Sequence, residues 1–320
     1  MPDATANLAR LARELRAAAL DVLWRQWRVV GGQTATRGGA NAIVDPEALV
    51  LLSLTLMESE PRLRDVLHDW TILNSDLISV QRLKNLGASY SETTRERLSW
   101  LARIATEKAK DLRWRSFLAG DQSGNDPASR NVLVRANNRR AIRVRLDEPA
   151  ALALRLRLGF GVGAKADVLV FLIGNDGDAA TVREIAAETG YTVAAARRAA
   201  EDMAAARLLH STTAQPVMFR ADTEAWAGVL GLSGGAPPWR SWNERFAFVA
   251  AYLSWSETMS TRPFKPYAFG VKGRELLERH KAAFELDHIA VWSEHSAVPD
   301  WAAFVSGAVK EMAGWMRAAA

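Results

Sequence analysis

The amino-acid sequence predicts a mainly helical, multi-domain protein with a small β-hairpin in a central unit. Three observations predict it. Apolar residues recur three and four positions apart through most of the chain, the spacing that places them on one side of a helix. Helix start and stop signals punctuate those runs: an Asp-Pro pair, Ser and Thr caps, and glycines just past the last periodic residue. One central stretch then runs from a helix–glycine–helix pattern directly into two short apolar strands joined by a polar turn. The chain has 320 residues, enough for two or three compact units with cores of their own.

The elements follow in order. Leu8, Leu11, Leu15, Ala19, Leu20 and Leu23 form one apolar stripe, with Trp24 and Trp27 on the next turns, so a long amphipathic helix is expected over 7–30. The stretch GGQTATRGGANAIVDP is a glycine-rich loop ending in Asp45, an N-cap with proline at the first helical position. Helices are expected over 49–57, 63–73, 79–86 and 92–106, the last two meeting at Gly87 in a helix-turn-helix-like outline. The turn-forming stretch GDQSGNDPAS (120–129) marks a domain boundary. Alternation over 141–146, after Asn137 and Asn138, predicts a short basic hairpin, and Pro149 opens a helix to about Leu158. After GLSGGAPP (231–238) the chain is helical again. Four parts result: a helical domain over 1–120, a basic linker and connecting helix over 121–163, the central unit over 164–225, and a helical, Trp-rich domain over 226–320.

Composition narrows the chemistry. The chain contains no cysteine, which excludes disulfides, thiolate nucleophiles and thiolate metal ligands. No uninterrupted apolar run suits a membrane span or a signal peptide, so no membrane partner and a cytoplasmic location are expected. The formal charge is +5 with a pI near 9.7, a balance that suits a polyanionic partner. The surplus is local. Between Arg130 and Lys165 stand nine basic residues (Arg130, Arg135, Arg139, Arg140, Arg143, Arg145, Arg155, Arg157 and Lys165) against Asp147 and Glu148 alone. Nine minus two is +7, more than the surplus of the whole chain. Arg139, Arg140 and Arg143 are the expected phosphate contacts; a solvated basic surface without a ligand is the plain alternative.

The central segment is AKADVLVFLIGNDGDAATVREIAAETGYTVAAARRAAEDMAAARLLHSTTAQPVMFRA. Its first helix carries Val168, Phe171 and Leu172 at core spacing, with Gly174 as a left-handed cap. Thr181 and Glu184 form a capping-box pattern before the second helix, whose inner face is Val182, Ile185 and Ala186. Gly190 supplies a tight inter-helix turn, and Thr192 caps a third helix with Ala196, Ala200 and Met203 turned inward. Leu208 and Leu209 start a strand, 211–216 turns, and Val217 to Phe219 return. Three helices followed by a β-hairpin is the winged helix-turn-helix arrangement. The stretch TVREIAAETGYTVAAARRAAEDMAAARLL resembles the helix-turn-helix core of bacterial winged-helix regulators of the MarR and ArsR type, over less than a fifth of the chain. It departs from them in two places. Arg207 stands where a glycine usually precedes the wing, and Val193, Ala194 and Ala195 stand where relatives carry polar or basic base readers.

With Ala196, Ala200 and Met203 inward, Ala194 and Arg198 point outward, flanked by Ala195 and Arg197. Arg198 and Arg197 are then the candidate readers of guanine edges, and Val193 and Ala194 the small residues that let the helix sit deep. Tyr191 and Thr192 at the helix start suit phosphate contact. Thr181 and the hairpin turn Ser211, Thr212 and Thr213 complete the candidate set. The bland reading pairs Arg197 and Arg198 with Glu201 and Asp202 as a solvated face. The implied function is that of a sequence-specific transcriptional regulator, not an enzyme, binding double-stranded DNA as a homodimer. No cofactor or metal is implied, and the flanking domains are left for dimerisation, a small-molecule effector or a partner protein. The rival is an interaction protein, such as an antitoxin, whose winged helix binds a protein; the alanine-rich third helix favours it.

Other motifs carry less. GFGVGAK (159–165) lacks the buried strand that leads into a phosphate loop, so a joint between helices is expected. The five histidines are scattered and expected to be solvated. Most of the twelve tryptophans sit at helical core spacing, so packing is expected before base stacking or a Trp-rich dimer core.

Overall fold

The computed structural model describes residues 2–32, 34, 38–118, 144–261, 266–285 and 301–319. Among the described residues the chain is mainly helical, with one small three-stranded antiparallel sheet. The helices of the N-terminal part are α1 (Pro2–Val29), α2 (Pro46–Leu56), α3 (Pro61–Asn74), α4 (Val80–Gly87) and α5 (Glu92–Glu107). The stripe of α1 from Leu8 to Leu23 is buried, as its spacing requires, along with Trp27, except for Leu20, which is half-buried at the core's edge. Asp45 caps α2 by accepting from Ala48 N at 3.1 Å, and Ser79 and Ser91 cap α4 and α5 in the same way.

The middle of the chain holds α6 (Leu152–Phe160), α7 (Ala164–Gly174), β1 (Ala180–Thr181), α8 (Val182–Thr189), α9 (Val193–Ala205), β2 (His210–Ser211), β3 (Met218–Arg220) and α10 (Thr223–Leu230). The sheet order is β1-β3-β2, with Ala180 opposite Phe219 and Ser211 opposite the same residue on the other side. The C-terminal helices are α11 (Trp242–Thr261), α12 (Pro266–Arg279), α13 (Ala282–Glu285) and α14 (Trp301–Ala319).

Two apolar cores divide these elements differently from the sequence-based boundaries. One core joins α1–α5 to α11–α14, so the Trp-rich C-terminal helices do not close on themselves but complete the N-terminal body. α1 lies along both α11 and α14. Near its C-terminal end α1 also meets α2 and α3. There Trp27 donates to Ser53 Oγ at 2.9 Å and packs edge-on to Trp70 at 5.7 Å between ring centroids. Trp242 of α11 meets Trp315 of α14 edge-on at 5.4 Å and donates to Ile43 O. These four rings serve packing, as their spacing predicted.

The second core holds α6–α10 and the sheet, together with Ile43. It extends through Leu230 and Leu232 to the flanking Trp239, beyond the boundary expected at 225, and begins with Leu152 of α6. α6 and the single turn before it straddle both cores: Ala150, Ala151 and Leu154 face the first, Leu152, Ala153 and Leu156 the second.

Gly174 is no left-handed cap. It ends α7, the following Asn175 keeps φ at −87°, and a Cβ on Gly174 would lie 2.6 Å from Ile43 Cδ1 and 2.8 Å from Trp239 N. Its role is close approach, sealed by Trp239 N donating to Gly174 O at 2.8 Å. GFGVGAK is the expected joint, with Gly161 at φ +81° between α6 and α7. The ladder starts at His210, two residues after Leu208, because the N–H groups of Leu208 and Leu209 are turned back onto Met203 O near the end of α9.

His280 corrects the expectation of solvated histidines. It follows α12, is buried, and packs against the Phe248 ring at 6.1 Å. Burial, aided by the Arg279 charge, pushes its pKa down to about 4 from 6.5. A depressed base keeps its full contribution above the unfolded value and loses it as pH falls from 6.5 through 4. The slope is about 1.4 kcal/mol per pH unit, for a total on the order of 3 kcal/mol. His280→Phe should therefore lose less stability than the native chain between pH 6.5 and 4 in urea titrations. Parallel losses would refute this account.

Candidate nucleic-acid interface

The surface of interest is built by α8, α9 and the β2–β3 hairpin. Thr181 and Glu184 form the predicted reciprocal cap: Glu184 N donates to Thr181 Oγ1 at 3.3 Å and Thr181 N to Glu184 Oε2 at 2.7 Å. Gly190 ends α8 at φ +70°, the left-handed conformation that a side chain strains. Thr192 caps α9 by accepting from Ala195 N at 3.2 Å. Ala196, Ala200 and Met203 are buried as predicted, and Ala199 joins them. Arg207, just before the hairpin, also adopts the left-handed conformation, with φ +61°.

Thr192, Val193, Ala194, Arg197 and Arg198 lie together on the exposed side of α9. Val193 is 45% exposed, unusual for a β-branched apolar residue. Ser211, Thr212 and Thr213 are exposed in the hairpin. Thr212 also closes that hairpin, accepting from Met218 N through its hydroxyl and donating its own N–H to Met218 O. Thr181 is half-buried and spends its hydroxyl on the cap. Arg139, Arg140 and Arg143 lie outside the described residues, as does most of the hairpin expected around Asn137.

The charge on α9 is mixed. Arg197 faces Glu201 at 3.9 Å, and Lys165 of α7 pairs with Asp202 at 2.8 Å. Exposed pairs of this kind stabilise by about 0–1 kcal/mol at most. Other members of the basic segment are also engaged: Arg145 pairs with Glu148 at 2.6 Å, and Arg157 is buried.

Tyr191 is a correction. Its hydroxyl does not face outward but donates to Asp167 Oδ2 at 2.8 Å and lies 2.9 Å from Ser79 Oγ. Burial and the neighbouring Asp167 charge push the phenol pKa above its ordinary value, so it stays a neutral donor. The reason is a buried ion cluster that sequence reasoning missed. Arg157 of α6 grips Glu47 with both terminal nitrogens, at 2.7 and 2.8 Å, and Asp167 of α7 at 2.8 and 2.9 Å. It also donates to Leu77 O at 2.9 Å. Arg82 of α4 binds Asp45 bidentately, Glu47 and the Thr189 carbonyl at the end of α8. Burial alone would raise the Glu47 pKa, but Arg157 and Arg82 outweigh it and hold it at about 2. A partial signal existed: Glu47 and Asp167 are the one acidic residue each of two largely apolar helices, α2 and α7.

This cluster ties the α8–α9 turn to the N-terminal body. Asn85 of α4 donates to Gly190 O at 2.9 Å, and a Cβ on Gly190 would lie 2.7 Å from Leu86 Cδ2. α9 therefore stands on α4 at its N-terminal end.

No protein-family model matches the chain, and no curated protein or solved structure matches it. The arrangement must be judged on its own chemistry. Among the described residues no group of three or more His, Asp or Glu side chains is placed to hold a metal, and no helix is long and apolar enough to cross a membrane. The exposed side of α9 offers hydrogen-bond donors on long side chains, small apolar residues and a helix N-terminus beside a polar hairpin. Such a surface can enter a groove or meet another protein; it holds no nucleophile paired with a base.

Proposed function

We propose that the chain is a DNA-binding transcriptional regulator acting through a winged helix-turn-helix over 164–221, as a homodimer on double-stranded DNA. The observation that carries the reading is the element order α7–β1–α8–α9–β2–β3, with sheet order β1-β3-β2 and the outer side of α9 uncovered. In that arrangement the third helix enters the major groove and the hairpin flanks it. Arg198 and Arg197 are the assigned base readers, Thr192 and the α9 N-terminus contact phosphate, and Ser211 to Thr213 lie along the backbone. Dimerisation and effector binding are assigned to the helical body formed by the two chain ends.

A second reading has an observation of its own. Val193 and Ala194 are exposed, and the charges of Arg197, Arg198, Glu201 and Asp202 cancel, which suits a protein partner such as the toxin of an antitoxin pair. A titration of the full chain on mixed-sequence duplex at two salt concentrations separates the two. The regulator reading expects binding whose logarithm falls linearly with log salt, by a slope of about 0.9 per phosphate contact. Absence of salt-sensitive duplex binding would leave the protein-partner reading in its place.

A further inference from the structure

A helix that reads DNA needs anchoring on phosphates, and α9 supplies little of it. Two cations and two anions cancel on its outer side, and Lys165 is engaged by Asp202. Half or more of the hydrogen bonds in protein–duplex contacts go to the backbone, from lysine, arginine and the side-chain amides. One element bonded to the turn before α9 is placed to provide some of them, α4.

Three residues of α4 hold the turn before α9: Arg82 bonds Thr189 O, Asn85 bonds Gly190 O, and Leu86 packs against Gly190. Leu83 and Gly87, about 100° around the helix, enter the N-terminal core. The remaining side carries Gln81 and Lys84, both exposed. α4 contains no acidic residue. Gln81 Nε2 donates to Asn85 Oδ1 at 3.0 Å, so a chain of amides leads from this side to the Gly190 carbonyl at the foot of α9. Lys84 is steadied by the Phe117 ring, its ammonium 5.6 Å from the centroid.

We infer that the exposed side of α4, through Lys84 with Gln81, contacts the sugar-phosphate backbone of the duplex beside the groove that α9 enters. This rests on the regulator reading and assigns part of its affinity to a surface outside the winged unit. The contact carries no sequence information, since a lysine point charge and amides on phosphate see every sequence alike.

The experiment titrates mixed-sequence duplex with the full native chain, Lys84→Gln, Lys84→Arg and Arg198→Ala across a salt series, with thermal melting to verify each fold. Loss of one phosphate contact lowers the log–log slope by about 0.9 and weakens binding roughly eightfold near 0.1 M salt. Lys84→Gln is expected to show both changes, equally on any duplex, and Lys84→Arg to restore the slope. Native affinity and slope in Lys84→Gln, while the native chain binds duplex with a clear salt dependence, would overturn the α4 contact and leave the regulator reading intact. If the native chain shows no salt-sensitive duplex binding, both fall together.

Discussion

Arg157→Ala is expected to lower the unfolding free energy by about 3–5 kcal/mol, the range for removing one partner of a buried ion pair. Arg157 makes five hydrogen bonds from full burial, to Glu47, Asp167 and Leu77 O. Its loss leaves the Asp167 carboxylate with only the Tyr191 hydroxyl among these partners and takes one of the two guanidiniums from Glu47. Desolvated carboxylates without a counter-charge cost several kcal/mol each in effective terms. Removing the charges together should cost far less than removing one, so Arg157→Met combined with Glu47→Gln and Asp167→Asn is expected to recover most of the loss. Urea unfolding of the single and triple variants checks both statements; an Arg157→Ala change under about 1 kcal/mol would contradict the account. The same cluster sets an acid limit. Glu47 is held at about 2 against an ordinary 4.5, so its contribution is complete above pH 4.5 and is lost as pH falls toward 2.

The second large effect concerns specificity. Arg198→Ala is expected to lose preference for the operator by about 1–3 kcal/mol, the worth of one bidentate arginine–guanine contact, while keeping its fold and much of its affinity for random duplex. Arg198 lies on the exposed side opposite buried Ala196, Ala200 and Met203, and its neighbour Arg197 is drawn toward Glu201. No other long side chain stands on the first two turns of α9. Competition binding of selected against random duplex measures the ratio. Equal weakening on both would make Arg198 a phosphate contact, and no change on either would favour a protein partner.

Local chemistry was legible from residues a few positions apart. The cap at Asp45, the reciprocal Thr181–Glu184 pair, the left-handed turn at Gly190, the cap at Thr192 and the buried alanines of α9 depend on bonds three or four residues long, and all are present. So the sequence by itself located most of the helices and the outward side of α9, though not α10 (Thr223–Leu230). It could not show β1, because two residues carry no alternation to read.

Only the tertiary structure decided what each exposed or charged residue is used for. Tyr191 turns inward because Asp167 and Ser79 wait for its hydroxyl, and Ser79 comes from a helix 112 residues earlier. Arg157 counts as one more cation in a basic run until Glu47, 110 residues away, closes on it. Gly174 looks like a cap until Ile43 and Trp239 occupy the space a side chain would fill. The N- and C-terminal helices look separable until α1 lies against α11 and α14. In each case the deciding partner is distant in sequence, and the energy at stake is the desolvation of a charge or the filling of a core. Neither leaves a local pattern, because both depend on which surfaces meet.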